Sequence, residues 1–242
     1  MSIEKHGEQR MQCNVCGGET FLDMNGRLNV RCAKCGSLER ARVLKMILDE
    51  SGILKKGTRV LHFAPEGGLA TYIKGIVGDE CYDARDIDIE RYQHVKVSYF
   101  DLVEACHTLP TNAFDLIIHN HVMEHLPCNV TAVLYHLHRA LSDEGLHVFS
   151  IPILNGYYEE SLFPIGAEER QRRFAQFDHV RRFGMIDLQK SLGMIFRIPD
   201  TYDITKRFPK AVLDDANIPG YARLNYSGHT VFSLKKDDLR LR

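Results

Sequence analysis

The chain has 242 residues, with 31 Lys+Arg against 32 Asp+Glu and a formal net charge of −1. That length holds one ordinary α/β domain plus a small appendage, and a 44% hydrophobic fraction can fill a sizeable core. The charge balance excludes a global field for nucleic acid or an anionic membrane, and no apolar run approaches the roughly 20 residues that cross a bilayer.

Met1 to Gln12 is polar and mixed in charge, unlike a secretory signal, so a cytoplasmic protein is expected. Four of the seven cysteines follow as Cys13-x2-Cys16 and Cys32-x2-Cys35, fifteen residues apart, each pair followed by glycine. Two such turns each aim two thiolates at one point, which is what a tetrahedral zinc ion needs. Asn25-Gly26 between two short apolar runs signals a hairpin, so the segment reads as a zinc ribbon. Four cysteines leave no open coordination position, which makes the metal structural. A disulfide or redox pair lacks the βαβ context it would need, and Cys81, Cys106 and Cys128 are isolated thiols. Arg31, Lys34, Arg40, Arg42 and Lys45 read as a solvated basic face or an RNA contact.

Leu38 to Leu48 has helical spacing, with Ser37 as the expected N-cap and Ser51-Gly52 as the stop. It links a ribbon unit, residues 1–50, to a main domain, residues 51–242. Strand-like and helical runs then alternate. Strands are expected at Arg59 to Ala64, before Asp86, at Val95 to Phe100, Phe114 to Asn120 and Leu146 to Ile151. A helix at Thr131 to Leu141 is followed by a turn at Ser142 to Gly145. Near the C-terminus, Asp187 to Leu192 reads as helix, and Ile195 to Ile198 and Thr230 to Leu234 as strands, the last antiparallel. Residues 204–226 fit no element. This alternation implies an α/β fold with a doubly wound, mostly parallel, seven-stranded Rossmann-like sheet, whose ligand crevice lies beyond the carboxyl ends of the strands.

Four features fall at those strand ends. The run Val60-Leu61-His62-Phe63-Ala64-Pro65-Glu66-Gly67-Gly68 is a strand entering a helix through a two-glycine turn. Asp86 lies about 20 positions after that turn, where a carboxylate can accept from ribose hydroxyls; read alone, Asp86-Ile87-Asp88 also fits a metal-binding motif or a polar loop. Asp101 ends another strand. The fourth is Phe114-Asp115-Leu116-Ile117-Ile118-His119-Asn120-His121-Val122-Met123-Glu124-His125.

The fourth segment resembles the class I S-adenosylmethionine (SAM) dependent methyltransferases of the type 11 kind, with their "FDLI" strand and "HVLEH" segment. His136 to Gly145 is similar to the next helix of that family. The resemblance covers roughly residues 55–200 and departs in the first loop, where Ala64 and Glu66 replace glycines and only Gly68 stands. A subgroup with an N-terminal four-cysteine segment and an "LHFAPE" loop is similar over the whole chain, including Phe177 to Gly184. The resemblance implies a SAM site of Ala64, Glu66, Gly68, Asp86, Asp101, Leu102, Asn120 and His121.

His121, His125 and His179 are then candidate bases for methyl transfer, although His125 also suits a role orienting its loop. His179, Arg181 and Tyr157 are the candidate acceptor contacts, with 155–173 as a mobile lid. His119 should face the opposite side of the sheet from His121, and His136 and His138 form a solvated or partly buried pair. The expected activity is O- or N-methylation of a small molecule or glycan. An RNA methyltransferase docking through the ribbon and a non-catalytic binding module stand as alternatives, the first disfavoured by the neutral charge. Oligomeric state is left open.

Overall fold

The computed structural model describes residues 11–241; the N-terminal ten residues read above as polar lie outside the described residues. Strands β1 (Phe21–Met24) and β2 (Arg27–Cys32) form an antiparallel hairpin. Asn25 and Gly26 take φ of +51° and +74°, the conformation that an Asn-Gly turn favours. Helix α1 (Glu39–Ser51) ends on Gly52 as expected but begins on Leu38. The Ser37 hydroxyl turns instead to the sulfurs of Cys13 and Cys35, at 3.1 and 3.3 Å.

The main domain runs β3 (Val60–Phe63), α2 (Gly67–Val77), β4 (Tyr82–Asp86), β5 (Ser98–Tyr99), α3 (Leu102–Ala105), β6 (Phe114–Asn120), α4 (Val130–Arg139) and β7 (Leu141–Ser150). After these come β8 (Ile153–Leu154), β9 (Glu159–Glu160), α5 (Ala167–Phe174), β10 (Arg181–Gly184), α6 (Leu192–Ile195), α7 (Lys210–Asp215) and β11 (Phe232–Lys235). The central sheet has the order β11-β7-β6-β3-β4-β5, parallel except for β11. The chain reverses direction of growth between β3 and β6, so the ligand crevice opens at their carboxyl ends.

The sheet has six strands rather than the expected seven. Ile195 to Ile198 makes one isolated bridge, Phe196 to Leu239, and no ladder. Pro199 follows directly and offers no N–H to extend one, while the fully buried Phe196 ring packs on Phe149, His138 and His147. The turn expected at Ser142 to Gly145 is a bulge inside β7: pairing with β6 jumps from Phe114–Leu141 to Leu116–Leu146. Asp187 to Leu192 holds a single 3-10 turn, Leu188–Lys190. Residues 155–173 contain β9 and most of α5, and β9 joins β8 and β10 in a small three-stranded sheet.

Val43, Leu44, Met46, Ile47 and Leu48 of α1 belong to the large core, whereas the ribbon has its own small cluster around Cys13, Val15 and Cys32. Buried histidines sit on three neighbouring strands, His62 on β3, His119 on β6 and His147 on β7, with His138 of α4 beside them. His62 bonds the Tyr82 hydroxyl at 2.7 Å, and His119, His147 and His138 form a chain with contacts of 3.0 and 3.3 Å. His119 is structural, as its alternation with His121 predicted; His138 is wholly buried rather than solvated.

Burial pushes both His62 and His119 down to about 3. The folded chain therefore refuses protons that the unfolded chain binds below its ordinary value near 6.5, so their stabilisation is complete above pH 6.5 and is lost as pH falls. At pH 5 the loss is about 2 kcal/mol per histidine. Denaturant midpoints between pH 7.5 and 5 should fall less steeply for His119→Phe than for the native chain; equal slopes would remove His119 as a contributor.

Candidate active site

Ala64, the residue just beyond β3, has φ +49°, a left-handed conformation normally left to glycine. His121, just beyond β6, has φ +52°. Two strained non-glycine residues thus face each other across the switch point, where backbone strain often accompanies function.

Two adjoining cavities open there. The first, about 330 Å³, is mainly apolar: Phe63, Phe100, Leu102, Val122, Leu126 and Pro127 line it, with Asp86 and Asp101 at its edge. The second, about 440 Å³, is polar and includes Arg40, Glu66, Asn120, His121, Glu124 and His179. Ala64 and His125 belong to both.

Asp86 and Asp101 at the apolar cavity are both anchored. Asp86 accepts from the Asp88 N–H at 2.8 Å and the Tyr92 hydroxyl at 2.7 Å, while Asp101 caps α3 through the Val103 N–H. At the polar cavity, Glu66 accepts from Arg40 and from the Asn120 amide, both at 3.0 Å. The charge that Glu66 brings into the first loop is thereby matched by a cation from α1. His121 donates to the Gly228 carbonyl at 3.1 Å and its other nitrogen lies 3.3 Å from Glu124. Burial lowers the proton affinity of His179, partly opposed by the Glu124 charge.

Three expected contacts lie elsewhere. Arg181 is fully buried, and its guanidinium donates to the carbonyls of Met123, Leu126 and Cys128 and to Glu160. It fixes the loop after β6 and has no free donor face for an acceptor. Tyr157 is 61% exposed and lines neither cavity. Gly68 also lines neither: a Cβ there would sit 2.8 Å from the Cys35 Cβ and 3.1 Å from the Cys35 carbonyl oxygen. Its missing side chain makes room for the ribbon, which docks at the start of α2.

In that ribbon the four cysteine sulfurs lie within 4.8 Å of one another, with Cys13–Cys35 at 3.7 Å and Cys16–Cys32 at 3.5 Å. Tetrahedral thiolates about 2.3 Å from one ion would be about 3.8 Å apart, so the donor set fits a metal. Gly17 and Gly36, both at φ +74°, close the two knuckles.

A family model described as a methyltransferase domain matches residues 36–188, well over half of the chain. The chain belongs to this family of class I SAM-dependent methyltransferases. No curated protein matches it. Solved structures that resemble the methyltransferase include a Galdieria sulphuraria protein described as a sarcosine dimethylglycine methyltransferase, at 21% identity and TM-score 0.38, covering 48% of this chain and 47% of that one. The chain thus spans about half of that relative. Another is Haemonchus contortus phosphoethanolamine N-methyltransferase 2, at 18% identity and TM-score 0.42, covering 71% and 41%. A SAM-dependent methyltransferase of Archaeoglobus fulgidus has 15% identity and TM-score 0.44, covering 80% and 92%.

Sequence reasoning missed several residues of the methyltransferase site. Arg40 and Arg42 read as surface cations, yet Arg40 reaches the polar cavity. Arg42 is fully buried, donating to the carbonyls of Val30, Ser37, Ala216 and Asn217. Asp178 and Gln176 also line the polar cavity. Glu124 stood inside the quoted motif, but nothing in its spacing announced complete burial.

Proposed function

We propose that the enzyme methylates an oxygen or nitrogen of a small polar acceptor, sugar-like compounds first. The observation that carries this is the pair of adjoining cavities at the switch point, one apolar and one polar, joined at Ala64 and His125. The apolar cavity suits adenine, with Leu102 and Asp101 at the ring edge and Asp86 accepting from the ribose hydroxyls. Ala64 would line the passage to the polar cavity, where Glu66 suits the α-ammonium of SAM and Arg40 its α-carboxylate. Asn120 and His121 would flank the sulfonium, whose methyl group is the electrophile. The polar cavity would then take the acceptor, and His121, His125 and His179 are the candidate bases. Direct displacement asks mainly for alignment, which the fixed loop 122–128 supplies.

Zinc is the proposed occupant of the Cys13, Cys16, Cys32 and Cys35 site, in a closed structural role. The functional boundary is proposed near Gly36 rather than at residue 50, because α1 packs in the large core and lends Arg40 to the site. Engagement of Arg40, Arg42 and Lys45 in internal contacts counts against RNA docking on that face. Among the described residues, no helix is long and apolar enough to cross a membrane.

Calorimetry with SAM and S-adenosylhomocysteine on zinc-replete protein tests the cofactor site. The native chain should bind both with micromolar affinity, and Asp86→Ala should weaken binding at least tenfold, the scale of lost hydrogen bonds to a charged group. Failure of the native chain to bind would sink the reading; an unaffected Asp86→Ala variant would sink the ribose placement.

A further inference from the structure

Glu124 is fully buried at the polar cavity, and neither of its carboxylate oxygens accepts a hydrogen bond. Its nearest ionisable neighbour is His121, whose Nδ1 lies 3.3 Å from Oε1 and makes no hydrogen bond to it. A buried carboxylate without a hydrogen-bond donor is costly, and the usual remedy is a cation. His125 Nε2 lies 4.0 Å from Glu124 Oε1, and the donor atoms of Glu124, His125 and His179 all lie within 4.8 Å of one another. The two imidazoles meet edge to face, with centroids 4.7 Å apart.

The other face of each imidazole is already engaged. His125 Nδ1 lies 3.4 Å from Asp178 Oδ2, and His179 Nδ1 donates to the Phe174 carbonyl at 3.3 Å. Holding both Nδ1 atoms as donors leaves both Nε2 atoms as lone-pair donors. A carboxylate or carbonyl behind each histidine is the support that metal-binding histidines characteristically have.

We propose that Glu124, His125 and His179 form a second metal site, distinct from the ribbon, which takes a divalent first-row transition ion. Two imidazoles and one carboxylate are a borderline donor set suited to Zn²⁺, Fe²⁺, Co²⁺ or Mn²⁺, and three protein ligands leave positions open. Those positions face the polar cavity, so the acceptor class favoured is one with two neighbouring oxygens, such as a vicinal diol or a hydroxy acid. This acceptor assignment rests on the reading of the polar cavity as the acceptor site; the metal site itself does not.

The probe is Co²⁺ added to zinc-replete protein without SAM, followed by visible absorption and proton NMR. We expect one Co²⁺ per chain beyond the ribbon zinc, with no thiolate-to-cobalt charge-transfer band. Two exchangeable, strongly shifted imidazole N–H resonances should appear, one from each Nδ1. Asp178→Asn should weaken cobalt binding about ten- to a hundredfold, and His179→Ala at least as much, while Asp86→Ala leaves it unchanged. The shifted resonances of the native chain decide the matter even if a variant fails to fold. Absence of cobalt binding beyond the ribbon, or binding without shifted imidazole protons, overturns the proposal and favours His121 as the partner of Glu124. Cobalt binding with no SAM binding would instead leave the metal site standing and remove the cofactor reading.

Discussion

Stripping the metal from the ribbon is expected to weaken SAM binding roughly tenfold or more, besides unfolding the hairpin. A segment this small would draw most of its folding energy from the proposed zinc, on the order of 10 kcal/mol for a structural site. Its collapse would reach the cofactor crevice along three routes. Cys35 abuts Gly68 at the first turn of α2, directly after the loop carrying Ala64 and Glu66. Arg42 ties Val30 and Ser37 to Ala216 and Asn217. Arg40, two residues earlier on α1, holds Glu66 at 3.0 Å. Chelation followed by circular dichroism and SAM calorimetry measures both effects, with Cys35→Ala as a second route to the same state. If SAM affinity survives loss of the metal, the ribbon is an independent appendage and the coupling is wrong.

Arg181→Met should destabilise the fold by about 3–5 kcal/mol, the range for breaking a buried charged network on one side. The substitution keeps the apolar stem but leaves the carbonyls of Met123, Leu126 and Cys128 without their donor. Because that loop supplies Val122, His125, Leu126 and Pro127 to the apolar cavity, SAM affinity should fall with stability. Arg181→Lys should not restore either, since one ammonium cannot reproduce a planar fork that meets three carbonyls and a carboxylate. Denaturant midpoints and calorimetry on the same samples decide it; a Met variant as stable as the native chain would return Arg181 to the acceptor side.

The parts legible in the sequence were those written in local pattern. The β6 strand was placed to the residue because the apolar residues Phe114, Leu116, Ile117 and Ile118 led into a recognisable motif, and the four-cysteine spacing led to four clustered sulfurs. Boundaries set by tertiary pairing were less legible. The Ser142 to Gly145 turn became a bulge because β6 holds both flanks of it, and Ile195 to Ile198 failed as a strand because its hydrophobicity serves the packing of Phe196. The misread arginines share one cause: long charged side chains carry no local sign of where they end. Arg181 followed a histidine and an aspartate toward the cavity in the sequence, yet its guanidinium turns inward. Arg40 sits among solvated-looking cations and reaches the site from another element. Gly68 was read through the family's glycine loop, where a missing Cβ favours a ligand; here it admits the ribbon.

The seating of the ribbon has a practical consequence for anyone trimming this enzyme. A truncation guided by family similarity would begin at Gly36 and keep the whole matched span of 36–188. It would also discard all four sulfurs of the cluster, including that of Cys35, which abuts α2, and uncover Arg42 by removing three of its four carbonyl partners, Val30, Ala216 and Asn217. The shortest fragment with a catalytic loop of native shape should therefore start before Cys13 and continue past Asn217, far beyond the segment that similarity alone would select.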